Sequence, residues 1–154
     1  YKNLAAGKGF VSNATLAAMD RARALSMGRA PTAEEIASLK ADFPRLGEFR
    51  ITAGETSNYN CISWSCGVTD GWIDPAPTVR MMDNLYGGLG LGVVPRSQAQ
   101  VALFVDSSGV PQHAAVRVGG GWYESKLGAS YRIVHKLGDL EGGLYGDAER
   151  FYGK

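Results

Sequence analysis

Histidine and cysteine are scarce in this chain of 154 residues, which contains only two of each. These few side chains do not have metal-ligand spacing, so neither a metal site nor a cofactor is predicted. Neither sign of charge is in excess, because the chain has 16 basic and 15 acidic residues. This balance argues against a nucleic-acid partner or a membrane surface. No apolar run approaches the roughly 20 residues that a membrane-spanning helix needs.

The length is that of one ordinary domain with one core. We therefore predict a single domain over residues 1–154, with a helical N-terminal extension (1–43) and a core (44–154). The first residue is a tyrosine rather than a methionine, and no signal peptide is recognisable. From this we expect the chain to be an excised or processed piece of a longer protein.

The first half of the chain has the apolar period of 3.6 residues that is typical of helices. Helices are predicted over residues 12–28, 31–44, 60–66 and 77–86, and a short strand over 49–52. Leu16 and Met19 are expected on the core face of the first helix. Thr32 and Glu35 have the spacing of a capping box at the start of the second.

The second half changes to a period of two residues and contains many of the 21 glycines. Strands are predicted over residues 100–106, 112–118, 122–127 and 131–135, followed by one last short element. Helices that precede an antiparallel meander indicate an α+β fold.

Both cysteines lie in the stretch SNYNCISWSCGVTDGW, at Cys61 and Cys66. On a helix, positions five apart are separated by about 140°, so the two side chains cannot form a disulfide. Cys61 is predicted at a helix N-terminus, where N–H groups and the dipole lower the pKa of a thiol. Cys66 would lie inside the helix and is expected to be a small core residue. By itself, Cys61 could equally be a core thiol.

A nucleophilic cysteine needs a base, usually a histidine. His113 opens a predicted strand and is the candidate for that role. His135, between Val134 and Lys136, is expected to be a surface or strand-end residue.

Three motifs, YNCISWSCG, HAAVRV-GGGWYESKLG and LEGGLYG, occur in this order along the chain. Together they resemble an uncharacterised bacterial family of papain-like, NlpC-like cysteine hydrolases. The resemblance covers residues 44 to 152 and leaves out the first two helices. The papain-type Cys-Gly-Ser-Cys-Trp string and the NlpC-type Asp-Cys-Ser string are absent. The resemblance implies a papain-like scaffold with N-terminal helices packed on a C-terminal antiparallel sheet. It also implies Cys61 as nucleophile and His113 as base.

The residue that orients the imidazole depends on the register of one hairpin. A two-residue turn would place Glu124 on the face of His113, whereas a three-residue turn would place Ser125 there. Glu124 is chemically the better partner for an imidazolium. Ser125 matches the position of a third polar residue in NlpC-like sequences. Asn60 or Asn58 could donate to the oxyanion, or could simply cap the helix.

The resulting expectation is a cysteine hydrolase that cleaves an amide bond in a protein or peptide, as a protease, amidase or glutamine deamidase. The resemblance further suggests an effector domain of a bacterial toxin, secreted or injected into a target cell and neutralised by an immunity protein. Otherwise a cytoplasmic location is expected. The alternatives are a non-catalytic binding module on the same scaffold and a thiol-dependent acyltransferase.

Overall fold

A computed structural model describes residues 11–154 and shows an α+β arrangement. The helices are α1 (Asn13–Ala24), α2 (Ala33–Asp42), α3 (Cys61–Ser65) and α4 (Val79–Gly88). The strands are β1 (Arg50–Ala53), β2 (Gly92–Val93), β3 (Val101–Val105), β4 (Pro111–Gly119), β5 (Trp122–Lys126), β6 (Arg132–Lys136) and β7 (Asp147–Gly153). Short 3₁₀ helices cover Arg96–Gln98 and Leu137–Leu140. Each predicted helix and strand is therefore present, with bounds that differ by a few residues.

The helices begin where side chains satisfy their first N–H groups. Thr32 and Glu35 form the predicted capping box of α2, with reciprocal hydrogen bonds of 2.9 and 3.2 Å. Helix α3 ends at Ser65, so Cys66 lies at its C-cap rather than inside it. No helix within residues 11–154 is both long and apolar enough to cross a lipid bilayer.

All seven strands form one antiparallel sheet in the order β1-β6-β5-β4-β3-β7-β2. Strands β3 to β6 are the predicted meander. Strand β4 lies at the centre of the seven-stranded sheet. The short strand β1 extends the meander beyond β6, since it pairs with that strand at the edge of the sheet. The sheet thus takes a strand from the first half of the chain as well.

The two faces of the sheet are covered by different elements. On the first face, α3 and α4 pack on Val101, Leu103 and Ala114, and Ala24 of α1 packs on Trp122 and Val134. On the second face lie α2 and the segment that follows it, with buried Leu39, Phe43, Leu46 and Phe49. Because successive strand residues point to opposite faces, each strand contributes to both layers.

Helix α1 is the element that departs most from expectation. Leu16 is 46% exposed and Met19 58% exposed, so the core face predicted for them is wrong. Ala24 is the one buried residue of this helix. A bidentate ion pair between Arg21 and Glu48, at 2.6 Å, helps to hold the helix above the sheet.

Candidate active site

The N-terminus of α3 positions Cys61 through its cap. The Asn60 Oδ1 accepts the N–H of Ser63 at 3.1 Å, and the Ser63 hydroxyl accepts the N–H of Asn60 at 2.7 Å. Asn60 Nδ2 also donates to the carbonyl of Ile73 at 2.7 Å. Asn60 therefore acts as the N-cap that fixes the first residue of the helix. Asn58 is exposed, and its backbone N–H donates to Thr56.

Cys61 is 5% exposed and packs among the side chains of the first face. Burial raises the pKa of its thiol to about 11, although the nearby backbone N–H groups of Ala114 and Ile62 work in the opposite direction. The expectation that the helix N-terminus ionises this thiol is therefore wrong. A helix of five residues has a weak dipole, and the loss of water outweighs it.

His113 belongs to a hydrogen-bonded chain that is fully buried. Its Nε2 lies 2.9 Å from the Ser125 Oγ, which in turn lies 2.7 Å from the Nε2 of His135. His135 Nδ1 lies 2.7 Å from the backbone carbonyl of Lys136. We call His113, Ser125 and His135 the imidazole relay. His135 lies next to the last residue of β6, but it is 0% exposed, so the expectation of a surface residue is wrong.

The backbone carbonyl of Lys136 determines which atoms of the relay carry a hydrogen. A carbonyl only accepts, so His135 Nδ1 carries a hydrogen. Burial lowers the pKa of His135 to about 4, so the ring is neutral and its Nε2 accepts the Ser125 hydroxyl. The Ser125 oxygen then accepts the Nε2–H of His113.

In this arrangement the Nδ1 of His113 carries no hydrogen and presents an unshared lone pair. Burial, and then the proximity of His135, lower the pKa of His113 well below its ordinary value, so this ring is neutral too. Nδ1 is buried and has no hydrogen-bond partner within residues 11–154. A neutral imidazole held in this tautomer can accept a proton at Nδ1.

Two aromatic rings clamp the imidazole of His113. Tyr145 stacks flat on it, with centroids 4.1 Å apart and planes 3° apart. Phe104 meets it edge-on at 5.2 Å. Tyr145 comes from the loop between the second 3₁₀ helix and β7, so this loop covers the imidazole of His113.

Cys61 packs on one face of β4, while the side chain of His113, a residue of β4, points to the other face. Cys61 packs with Ala114 on the first face, whereas the neighbouring His113 points to the second face with Phe104. No hydrogen bond joins the two residues in the described part of the chain, since Nε2 of His113 is bonded to Ser125 and Nδ1 is unpartnered. The structure thus places them beside adjacent residues of one strand without joining sulfur to nitrogen.

The sheet is open between these two residues. The ladder of β4 and β5 contains the pairs Val116–Glu124, Arg117–Tyr123 and Gly119–Trp122, and no pairs further toward His113 within the described residues. Helix α3 contacts both strands beside this gap. The interruption of the ladder lies beside both Ala114, on which Cys61 packs, and His113.

The hairpin register places Ser125, and not Glu124, on the face of His113. Pairing of Arg117 with Tyr123 corresponds to the three-residue alternative, with a bulge beside Gly119. Glu124 points to the first face, where it accepts a hydrogen bond from Thr52 at 2.7 Å and pairs with Arg132 at 3.0 Å. Glu124 therefore does not orient the imidazole.

Lys126 is a residue that the sequence analysis missed. Its Nζ donates to the carbonyls of Thr56 and Gly128 and lies 4.9 Å from the ring centroid of Tyr59. These contacts hold the loop that leads into α3, and the positive charge of Lys126 lowers the pKa of Cys61 in part. The alternation of β5 could have indicated this position, because Lys126 follows Ser125 and so faces the side of Cys61.

Residues 50–153 match a family model described as "Domain of unknown function (DUF7689)". The match runs from β1 to β7, so it contains α3, the gap in the ladder and the whole imidazole relay. It leaves out α1 and α2. No curated protein sequence and no solved structure matches the chain.

Proposed function

The chain belongs to this family of unknown function, and we propose that it is a cysteine-nucleophile hydrolase of amide bonds on a papain-like, NlpC-like scaffold. One observation carries the proposal. The relay leaves His113 with a bare, buried Nδ1 beside the strand residue on which Cys61 packs. An unsatisfied polar atom in a protein interior costs free energy, so its retention points to a chemical use.

The reaction begins with two neutral groups rather than with an ion pair. His113 Nδ1 takes the proton of Cys61 as the sulfur attacks the substrate carbonyl, and the new charge on the imidazole is stabilised through Ser125. The backbone N–H groups of Cys61 and Ile62 have no partner inside α3 and can donate to the oxyanion. His113 returns its proton to the leaving amine or ammonia, and water hydrolyses the acyl-enzyme.

A substrate has to open this site before it reacts. Cys61 is 5% exposed and His113 is fully buried, and the sulfur has to come within hydrogen-bond distance of Nδ1. The β5-facing edge of β4 near His113, which has no ladder partner on that side, and the loop of Tyr145 border the pair. Residues 111–116 of β4 are paired with β3, so movement of the Tyr145 loop is the step that admits the substrate carbonyl without breaking the sheet.

The setting that we propose is a bacterial effector, secreted or injected into a target cell, where it cleaves or deamidates a protein or peptide. An immunity protein would be its partner in the producing cell. This setting is supported by the resemblance of the three motifs, while the chemistry is supported by the relay.

A second candidate is a non-catalytic module on the same scaffold. The raised pKa of Cys61 and the absence of a hydrogen bond to His113 in the described residues favour it. In that case the thiol is a core residue and the relay is a structural network.

Expression in the cytoplasm and in the periplasm of a bacterium separates the two candidates. We would compare the wild type with Cys61→Ala and, as a matched control, Cys66→Ala, following growth and the masses of cellular proteins. The hydrolase predicts a growth defect and modified target proteins that Cys61→Ala abolishes and Cys66→Ala retains. Equal effects of the wild type and Cys61→Ala would leave only the non-catalytic module.

The mass of the modified target then identifies the reaction. Chain cleavage indicates a protease, conversion of an amide to an acid indicates a deamidase, and a larger added group indicates an acyltransferase.

A further inference from the structure

A cleft lies between helix α1 and the turn of the β4–β5 hairpin, and we call it the α1 cleft. Its volume is about 830 Å³. Leu16 and Ala17 line the helix side, and Trp122 and Leu137 line the sheet side. Leu16 is exposed, so the cleft presents an apolar wall to solvent that no described residue covers.

Cations surround this apolar wall. Arg96, Arg117 and Lys136 line the cleft from the first 3₁₀ helix, β4 and β6, and all three are exposed. None of them forms an ion pair within residues 11–154. The fourth basic residue, Arg21, is neutralised by Glu48.

The lining itself contains one acidic residue, although Lys136 also lies within electrostatic range of Glu48 and Asp139 outside it. Asp20 is the acidic residue that lines the cleft, and its carboxylate lies against the backbone turn at Gly119 and Gly120. The lining therefore has an excess of positive charge, distributed over three separate elements rather than gathered at one point.

We propose that the α1 cleft binds an acidic peptide segment of a partner protein, in which several carboxylates alternate with apolar side chains. Complementary charge selects the partner, because like charges across an interface are strongly disfavoured. One carboxylate cannot meet cations on three elements, whereas carboxylates spaced along a peptide can. The apolar side chains of the segment cover the exposed Leu16 and Ala17. This inference does not depend on the chemistry of Cys61.

Fluorescence anisotropy with a synthetic probe tests the proposal. The probe is a fluorescein-labelled 12-residue peptide with Leu at every third or fourth position and Glu elsewhere. Two matched peptides replace all Glu by Lys or all Leu by Ser. The intact chain is expected to bind the Glu–Leu peptide at least about tenfold more tightly than either matched peptide, with an affinity that falls as salt rises.

Charge reversal locates the binding. The double variant Arg96→Glu/Arg117→Glu is expected to weaken binding by more than about tenfold. The control Arg80→Glu, an exposed cation on α4 outside the cleft, leaves it unchanged. Circular dichroism and a thermal melt confirm that each variant is folded.

Several results would overturn the proposal. These are equal binding of the three peptides, no saturable binding of the Glu–Leu peptide, and equal weakening by Arg80→Glu. Saturable binding of laurate without binding of the peptide would also overturn it, because it would show a site for a small amphipathic anion.

Discussion

The imidazole relay fixes the tautomer of two histidines, and this can be observed directly. We predict that His135 carries its proton on Nδ1 and His113 on Nε2, because Lys136 offers only a carbonyl at the end of the chain. Long-range ¹H–¹⁵N spectra of the imidazole groups distinguish the two tautomers at pH 7.5. Ser125→Ala is the informative variant, since it removes the hydroxyl that couples the rings. A spectrum with Nδ1–H on His113 in the wild type would exclude its role as base.

The same two histidines predict how stability depends on pH. Both are held neutral in the folded state, with the pKa of His135 lowered to about 4, while in the unfolded chain they titrate near 6.5. Because the unfolded chain binds protons first, the free energy of unfolding is at its full value above pH 6.5 and falls as the pH decreases toward 4. The loss attributable to His135 is on the order of 3 kcal/mol.

Urea unfolding between pH 7.5 and pH 5 measures the part of this loss of unfolding free energy that falls above the range in which most carboxylates titrate. His135→Gln is the control, and its stability is expected to vary less with pH across this interval. An unfolding free energy that stays constant from pH 7.5 to pH 5 would mean that the relay binds protons in the folded state.

The thiols differ in exposure in a way that chemical labelling reports. Burial raises the pKa of both thiols, but Cys61 is buried whereas Cys66 is half-buried at the end of α3. We predict that iodoacetamide alkylates Cys66 faster than Cys61 in the resting protein at pH 7.5, as measured by peptide mass. Cys66→Ala isolates the slow reaction of Cys61. Faster labelling of Cys61 would show that the site opens without substrate.

At the scale of elements, the sequence predicted those features that depend on local chemistry. The capping box of α2 is an example, since Thr32 and Glu35 are three residues apart and satisfy each other. The strand period likewise indicated β3 to β6. Leu16 and Met19 show the limit, because an apolar helical period indicates a face without showing whether anything packs on it.

The candidate site was predictable only in part, for a related reason. Residue type and position along the chain predicted Cys61 and His113 as a pair, and the structure places them beside neighbouring residues of β4 without a hydrogen bond between them. The choice between Ser125 and Glu124 depended on a single bulge at Gly119, which no local pattern reveals. The burial of His135 depended on which strands pair with β6 in the sheet. The hydropathy of the residues that flank His135 in the sequence had indicated a surface position instead.

The loop of Tyr145 is the element that holds the imidazole of His113 in place from outside the sheet. Tyr145→Ala is expected to destabilise the protein by about 2–4 kcal/mol, because it removes a stacked ring from the second face. Tyr145→Phe keeps the stack and is expected to cost less than about 1 kcal/mol. Chemical denaturation of both variants gives the two values. Similar losses for Phe and Ala would show that the hydroxyl, rather than the stacked ring, carries the contribution.

At the scale of the whole molecule, the sheet separates two layers, and the family match leaves out part of the second layer. The match begins at residue 50, yet the second layer contains Leu39, Phe43, Leu46 and Phe49, which are 2–4% exposed. Loss of each such side chain typically costs about 2–5 kcal/mol, and a domain has only about 5–15 kcal/mol in total. The unit that folds is therefore larger than the unit that the family model matches.

Two fragments test this conclusion. Residues 50–154 alone are expected to lack a cooperative thermal transition, since the second face would be exposed. Residues 25–154 lose α1, whose one buried residue is Ala24, and are expected to unfold cooperatively with a modest decrease in melting temperature. Calorimetry of both fragments beside the full chain measures the difference. A cooperative transition of residues 50–154 near that of the full chain would show that β-sheet pairing and the first layer are sufficient, and that α2 is dispensable for folding.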